Sequence, residues 1–331
     1  MKLYILLFLA FFLSCSNPQN AKAPGETKIS EHQSQTENKL TPDNTSSRII
    51  TVVEKSGSTV SSVSNQPDSQ TAKKMYPWKR SASGYVSVNS RIPDPAGFKR
   101  IKAMKNSYAY WLRYLPVRKA GTKVYDYSGD ELSDSTAAAW AVIDLDIGNR
   151  DLQQCMDTII RLRAEYLWQR NLKGSISFPY HGSTYFKWTQ WAAGLRPSLN
   201  RGKVTMIPKA KELHSRQNFR KYLTFMFAMT GTVSNTREPS VKYSDAKPGD
   251  FFLHPAPSAR VLGHAVIILD IAQNTAGEKR FLLGQGFTPA QDMHVLKYNS
   301  KTAWYPLKSS DDIKTPLWKP FSWADLKRFR Y

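Results

Sequence analysis

Asn149-Arg150-Asp151-Leu152-Gln153-Gln154-Cys155-Met156-Asp157 begins the helix around which the rest of the chain is predicted to fold. Asp151 is followed three residues later by Gln154, which is the spacing of a capping box, so we expect Asp151 to be the N-cap. Cys155 then lies in the first turn. Free N–H groups and the helix dipole favour a thiolate there, so this position predicts a lowered thiol pKa.

The same cysteine also fits a structural role, because it lies on an apolar stripe. The stripe has the i, i+3, i+4 spacing of a helix buried along one face. Its members are Leu152, Cys155, Met156, Ile159, Ile160 and Leu167. Free cysteine is among the most buried residue types. The helix alone therefore leaves two interpretations open, a buried packing residue and a reactive thiol.

Residues 1–15 are typical of a lipoprotein signal peptide. Lys2 precedes an apolar run from Leu3 to Leu13, which is shorter than the roughly 20 residues that a membrane-spanning helix needs. Phe12-Leu13-Ser14-Cys15 resembles a lipobox, so we predict lipidation at Cys15. The protein would then be exported and anchored by lipid to a bacterial cell membrane, such as the outer membrane on its periplasmic side. The alternative is a plain secretory signal or an anchor that stays uncut.

Two segments of different composition follow the signal. Residues 16–74 are rich in Ser, Thr, Asn, Gln and Lys and almost lack aromatic residues. Such a segment buries too little apolar surface to offset its chain entropy, so we predict a disordered linker. Residues 75–331 hold nearly all the tryptophan, tyrosine and phenylalanine, and this length can form a globular domain with a large core.

The charge balance concerns partners rather than fold. The chain has 47 Lys and Arg against 26 Asp and Glu, a formal net charge of +21. Such a protein is attracted to anionic polymers, here peptidoglycan or another envelope polymer, and to lipid head groups. Nucleic acid is not expected, because the export signal argues against it. The chain has no CxxC, HExxH or glycine-rich phosphate motif, so we predict no metal and no cofactor. Protein partners are not indicated.

Two further sets of residues have a functional and a structural interpretation each. Asp144 and Asp146 would share one face of a strand predicted over Ala138 to Ile147, which suggests a glycosidase pair. Solvated or hydrogen-bonded carboxylates at a strand end are the favoured alternative. Trp188 and Trp191 lie in an aromatic run that could bind sugar rings, although such a run more often forms core.

Three apolar segments predict an antiparallel sheet. They are Lys247 to Leu253, Gly263 to Asp270 and Phe281 to Gly286. The turn-rich Asn274-Thr275-Ala276-Gly277 separates the last two, so we expect them to form a hairpin.

The order of these elements resembles that of the papain-like cysteine amidases and endopeptidases of bacterial cell walls, the NlpC-type and CHAP-type enzymes. The shared features are a cysteine at a helix start, then Pro248-Gly249-Asp250, Gly263-His264-Ala265-Val266 and a polar residue on the next strand. Residues 75–331 also resemble a family of bacterial lipoproteins known as a domain of unknown function. This second resemblance rests in addition on Asp151 to Cys155, Arg161 to Tyr166 and Pro289 to His294.

The papain-like resemblance implies an α+β fold whose NlpC-type core has an antiparallel sheet and a cysteine helix at its N-terminal side. It implies Cys155 as nucleophile and His264 as base. We expect Gln285, on the next strand, to orient the imidazole, with Gln291 and His294 as alternatives.

For the oxyanion, we expect Gln153 or Gln154 to assist the N–H of Cys155. The predicted function is a lipid-anchored cysteine hydrolase of the cell envelope that cleaves peptidoglycan peptides. The alternative is a non-catalytic envelope- or glycan-binding lipoprotein on an inactive papain-like fold.

Overall fold

The computed structural model of the protein describes residues 66–78, 84–181, 184–258 and 260–330. The predicted signal peptide, the predicted lipidation site Cys15 and most of the predicted linker lie outside these residues. Among the residues described, no helix combines the length and the apolar character needed to cross a membrane.

Helices and strands alternate irregularly along the chain. The helices are α1 (Ser69–Met75), α2 (Val88–Arg91), α3 (Tyr108–Arg113), α4 (Ser133–Ala138), α5 (Cys155–Gln169), α6 (Trp188–Ala192) and α7 (Arg216–Met229). The strands are β1 (Lys99–Arg100), β2 (Ala139–Val142), β3 (Ser177–His181), β4 (Thr184–Lys187), β5 (Leu195–Asn200), β6 (Lys203–Pro208), β7 (Phe251–His254), β8 (His264–Gln273), β9 (Lys279–Gln285), β10 (His294–Leu296), β11 (Trp304–Tyr305) and β12 (Leu326–Lys327).

The main sheet is antiparallel and has the strand order β12-β7-β8-β9-β10-β2, with β1 added to β8 and β11 to β9. β8 and β9 form the predicted hairpin, in which Gln273 pairs with Lys279 and Ile267 with Gly284. Gly277 turns the chain between them with a φ of 83°, a conformation that glycine adopts without strain. The prediction of a mixed α/β fold with an antiparallel sheet is confirmed.

Strand β8 is buried on both faces, because its side chains alternate between two apolar clusters. Ala265, Ile267 and Leu269 belong to the larger cluster, which also contains the apolar side of α5. Val266 and Ile268 belong to the smaller cluster, which the C-terminal part of the chain completes. α5 therefore lies against one face of the central strand that begins at His264.

Helix α5 begins later than its sequence predicts. Gln154, rather than Asp151, is the N-cap, and its N–H donates to the Asp157 carboxylate over 3.3 Å. The Asp151 carboxylate instead accepts from the side-chain amide of Gln154 at 2.9 Å and from the N–H of Ala290 at 2.7 Å. Cys155 is consequently the first residue of the helix, and Asp151 joins the loop before α5 to the loop before β10.

The described structure starts inside the segment predicted to be a linker. Asp68 caps α1 by accepting the N–H of Thr71 at 2.7 Å. Ala72 and Met75 of this helix are buried in the larger apolar cluster. This short stretch has few apolar residues, but those it has lie on one side of a helix, so it packs against the domain.

Candidate functional site

Cys155 lies where the N-terminus of α5 meets the start of β8. Its side chain is only 5% exposed and belongs to the larger apolar cluster. The backbone N–H of Ala265, the second residue of β8, interacts with the sulfur. The thiol is therefore next to the strand residue that follows His264.

Burial, rather than the helix terminus, dominates the acidity of this thiol. The pKa of Cys155 is raised to about 12, mainly by desolvation and in second place by the charge of the Asp157 carboxylate. The N–H groups of Ala265, Met156 and Cys155 itself act in the opposite direction but are outweighed. The expected lowering of the thiol pKa was wrong, because an ion in an apolar cluster loses more from lost hydration than it gains from a helix N-terminus.

His264 is also buried, with 1% of its surface exposed. Its ring lies 4.7 Å from the ring of Phe287 and 4.9 Å from that of Trp318, measured between centroids. Burial lowers the pKa of His264 to about 4, although its hydrogen bond with Gln285 opposes this. The imidazole is therefore neutral at neutral pH.

Three side chains on consecutive strands of the sheet form a hydrogen-bonded chain. His264 Nε2 lies 2.8 Å from Gln285 Oε1, and Gln285 Nε2 lies 3.4 Å from His294 Nε2. His294 Nδ1 then lies 3.1 Å from the backbone oxygen of Asp292. This oxygen can only accept, so His294 carries its proton on Nδ1 and its Nε2 accepts from the Gln285 amide. Gln285 Oε1 in turn accepts from a proton on His264 Nε2.

The direction of this chain determines which nitrogen of His264 is basic. With Nε2 protonated, Nδ1 of the neutral ring keeps its lone pair. Within the described part of the chain, Nδ1 makes no hydrogen bond, and none joins the thiol of Cys155 to His264. The resting structure thus holds a neutral thiol and a neutral imidazole with one free acceptor.

Gln285 occupies the position predicted for the residue that orients His264, and His294 extends the chain by one member. Gln291, the other predicted alternative, is engaged elsewhere, since its amide exchanges hydrogen bonds with Ser135 Oγ at 3.0 and 3.2 Å. The segment before His294 is held in turn by Arg118, whose two Nη atoms donate to the Asp292 carboxylate at 2.7 and 2.9 Å. Sequence reasoning missed this support, although Pro289 to His294 had been recognised as a motif.

The two predicted oxyanion residues differ in their surroundings. Gln153 is buried, and its Oε1 accepts from Arg161 at 2.8 Å, so it belongs to an ionic network under α5. Gln154 is partly exposed beside Cys155, with its amide N–H on Asp151 and its Oε1 accepting from Thr288 at 3.2 Å. Gln154 is therefore the less buried of the two and directly precedes Cys155 in the chain.

The other candidate residues lie away from Cys155 and His264. Trp188 and Trp191 are buried among Phe219, Tyr222 and other aromatic rings, so neither offers a free face to a sugar ring. Asp146 pairs with Arg161 at 2.8 Å and with Arg220 at 3.0 Å. Asp144 is buried 3.8 Å from Arg118. Both carboxylates follow β2 rather than lying on it, and both serve ionic contacts.

A cavity of about 370 Å³ is lined in part by Trp318, whose ring also contacts the imidazole of His264. Trp318 Nε1 donates to His254 Nδ1 at 3.0 Å, and His254 faces His264 across the β7–β8 pair. The cavity is mainly apolar and is lined by His254, Pro255, Pro257, Val261, Leu262, Leu317, Trp318 and Lys319.

In the described ranges, no group of three or more His, Cys, Asp or Glu side chains is arranged to hold a metal ion.

Comparison with known proteins gives one match. Residues 88–328 match a family described as Domain of unknown function (4846). No curated protein and no solved structure matches the chain. Because the match covers most of the chain, the protein belongs to this family, domain of unknown function 4846.

Proposed function

We propose that this protein is a cysteine hydrolase of the cell envelope that cleaves amide bonds, with peptidoglycan peptides as the substrate class. Cys155 is the nucleophile, His264 is the base and Gln285 orients the imidazole. The core would then be papain-like, with the cysteine helix packed on an antiparallel sheet that carries the histidine.

The observation that carries this proposal is the directed chain from His264 through Gln285 and His294 to the Asp292 carbonyl. It supports catalysis because it protonates His264 on Nε2 and leaves Nδ1 as the acceptor. The residue next to His264, Ala265, interacts with the sulfur of Cys155. A buried imidazole needs hydrogen-bond partners in a structural role as well, so the chain supports catalysis through the free Nδ1 acceptor that it leaves on the residue next to Ala265.

The reaction begins from the neutral pair. When an amide carbonyl binds next to Cys155, the thiol proton passes to His264 Nδ1 and the sulfur attacks the carbonyl carbon. The imidazolium then gives this proton to the departing amine, which leaves a thioester on Cys155. Water, deprotonated by the neutral His264, hydrolyses the thioester and restores the thiol. The N–H of Cys155, at the start of α5, can donate to the oxyanion, with the side chain of Gln154 beside it.

This reaction requires the thiol and the imidazole to approach within hydrogen-bond distance once a substrate is bound. Contacts of this kind are often long in free enzymes and shorten in the substrate complex. The net charge of +21 supports an anionic envelope polymer as the substrate, because it concentrates such a polymer near the protein.

The test is digestion of purified cell wall by the full-length, reduced protein and by its Cys155→Ala and His264→Ala variants. We expect the native protein to release peptides with new amino or carboxyl ends, identified by mass spectrometry, and both variants to lose this activity. A matched control is Asn299→Ala, on an exposed turn, which should retain it. If folded Cys155→Ala releases the same peptides at the native rate, the proposed mechanism is wrong.

A second candidate is a non-catalytic envelope-binding domain on an inactive version of the same fold. The low exposure of Cys155 and its thiol pKa of about 12 favour it, because a working nucleophile must meet its substrate and lose its proton. In this case the native protein would bind wall fragments without cleaving them, and Cys155→Ala would bind them equally well.

A further inference from the structure

Strands β5 and β6 form a hairpin that is separate from the main sheet. Their register runs without a break from the pair Leu195–Pro208 to the pair Asn200–Lys203. Arg201 and Gly202 make the turn, both with positive φ, 47° and 79°. The hairpin extends from α6 and carries its turn into solvent, where all four residues of the tip, Asn200 to Lys203, are exposed.

The two faces of this hairpin differ in polarity. Paired residues of antiparallel strands share a face, and successive pairs alternate between faces. One face carries the apolar pairs Leu195–Pro208, Pro197–Met206 and Leu199–Val204, and the other carries Arg196–Ile207, Ser198–Thr205 and Asn200–Lys203. Met206 packs on the larger apolar cluster near the base, whereas Leu199, next to the turn, is 49% exposed. The apolar face thus runs from the core into solvent.

Charge on the hairpin is entirely positive. The hairpin itself, residues 195–208, contains no Asp or Glu, and its cations are Arg196, Arg201 and Lys203; Lys209 and Lys211 follow it and precede Glu212. Arg196 serves the fold, since its guanidinium lies 3.5 Å from the centre of the Trp191 ring and donates to the Trp191 carbonyl. The other four cations are exposed, and none of them forms an ion pair with a described acidic residue.

The base of the hairpin is tightly held. The N–H groups of Lys209 and Ala210 both donate to the Gly194 carbonyl, at 3.0 and 3.1 Å. A Cβ at Gly194 would come within 1.9 Å of the backbone oxygen of Ala210, so only glycine fits where the chain entering the hairpin meets the chain leaving it. The exposed leucine and the cations of the turn are therefore presented in a fixed arrangement rather than by a loose loop.

We propose that this hairpin docks on the surface of an anionic lipid bilayer. Leu199 and Val204 enter the boundary between head groups and acyl chains, while Arg201 and Lys203 contact the phosphates. A free anionic polymer would be bound by the cations alone and would gain nothing from the exposed Leu199 and the half-buried Val204 beside them. The tip combines an apolar side chain with cations and has no acidic residue. It therefore complements an anionic bilayer, in which charged head groups cover apolar acyl chains. This inference is independent of the proposed hydrolase activity.

The experiment measures sedimentation of the full-length protein with vesicles of phosphatidylcholine in which about one lipid in three is phosphatidylglycerol, and with vesicles of phosphatidylcholine alone. Arg201→Gln/Lys203→Gln should weaken binding to the anionic vesicles by about 30-fold, since each cation near such a surface contributes roughly a factor of five. Leu199→Ser should weaken it by about tenfold, because one leucine side chain is no longer inserted.

Matched controls change the same residue types elsewhere on the surface. Lys301→Gln/Lys314→Gln removes two exposed cations, and Met104→Ser removes an exposed apolar side chain. Both should bind the anionic vesicles within about twofold of the native protein. Every variant has the same N-terminal residues, so a contribution of that segment is equal in all of them.

Two results would overturn the proposal. The first is equal binding by the native protein and both hairpin variants. The second is a loss in Arg201→Gln/Lys203→Gln with none in Leu199→Ser, which would identify the hairpin as a site for a soluble polyanion. Circular dichroism of each variant excludes unfolding as the cause of a loss.

Discussion

The raised pKa of Cys155 predicts slow alkylation of its thiol. The rate of alkylation therefore distinguishes a neutral thiol beside a neutral His264 from a thiolate beside an imidazolium. At a pKa of about 12, only roughly 3 thiols in 100,000 are ionised at pH 7.5, against about one in ten for a free cysteine with a pKa near 8.5. The higher intrinsic nucleophilicity of the more basic thiolate recovers roughly 40-fold of this difference. We therefore expect Cys155 in the folded protein to react with iodoacetamide about 100-fold more slowly than a free thiol, and burial should slow it further.

The perturbation is Asp157→Asn. Asp157 is buried at the third position of α5, and its charge is the second cause of the raised thiol pKa. Burial also raises the pKa of the Asp157 carboxyl well above its usual range, so the effect of the substitution is expected at alkaline pH, where the carboxylate is ionised. The asparagine oxygen can still accept the N–H of Gln154, so the helix start is retained while the charge is lost. The thiol pKa should fall, and alkylation at pH 9 should be faster than in the native protein. Asp134→Asn, an exposed acid in the first turn of α4, is the control and should leave the rate unchanged.

The assay is the rate of carbamidomethylation of Cys155 as a function of pH, followed by mass spectrometry of the intact protein. His264→Gln is included because a neutral imidazole contributes little to the resting acidity of the thiol, so the rate should change less than about threefold. Fast alkylation at pH 7.5, at or above the rate of a free thiol and lost in His264→Gln, would refute the neutral pair. The protein would then rest as a thiolate and an imidazolium.

Three further predictions concern the residues behind the site and the core. Gln285→Leu leaves the Nε2–H of His264 without an acceptor, so kcat/KM for amide cleavage should fall by about 10²- to 10⁴-fold in a folded protein; unchanged turnover would remove Gln285 from the mechanism. His264 and His294 both have pKa values lowered to about 4, below the unfolded value, so the unfolded chain binds more protons between pH 6.5 and 4. The free energy of unfolding is therefore highest above this window and falls as the pH falls through it, by about 1.4 kcal/mol per pH unit for each histidine. In urea unfolding, the free energy of unfolding of His294→Gln should fall less steeply between pH 6.5 and 4 than that of the native protein. An equal slope in the two proteins would contradict the lowered pKa of His294. Asp270 is fully buried between Arg100 and Arg113 at 2.8 Å, so Asp270→Asn should lower the free energy of unfolding by about 3–5 kcal/mol, while Asp134→Asn should change it by less than about 0.5 kcal/mol.

The parts of the fold that the sequence predicted are those set by local pattern. The apolar runs that contain His264 and Gln285, separated by a turn with Gly277, were sufficient to predict an antiparallel hairpin. The sequence also placed Gln285 on the strand after His264, with Gln291 and His294 as alternatives, and in the structure Gln285 Oε1 lies 2.8 Å from His264 Nε2. The helix after Cys155 was predicted from its apolar stripe, and it forms as α5.

The remaining features depend on contacts between distant segments. The capping pattern at Asp151 was misleading, because its carboxylate binds the N–H of Ala290, far along the chain. The sign of the shift in the pKa of Cys155 depends on how closely β8 covers the start of α5, which no local pattern reports. His294 joins the chain only through the pairing of β10 with β9. An aromatic run such as that around Trp188 has the same spacing in a core as on a sugar platform, so only the packing of α6 distinguishes them.

The most direct test of the central claim is a search for the acyl group on Cys155. Cell-wall peptides are digested with the full-length protein, the reaction is stopped with acid within its first turnovers, and the protein is examined by mass spectrometry. We predict an adduct on the Cys155 peptide with the mass of the acyl fragment. Hydroxylamine should remove it, as expected for a thioester, and His264→Ala should not form it. Cleavage of amide bonds without an adduct on Cys155, or with the adduct on another residue, would contradict Cys155 as the nucleophile.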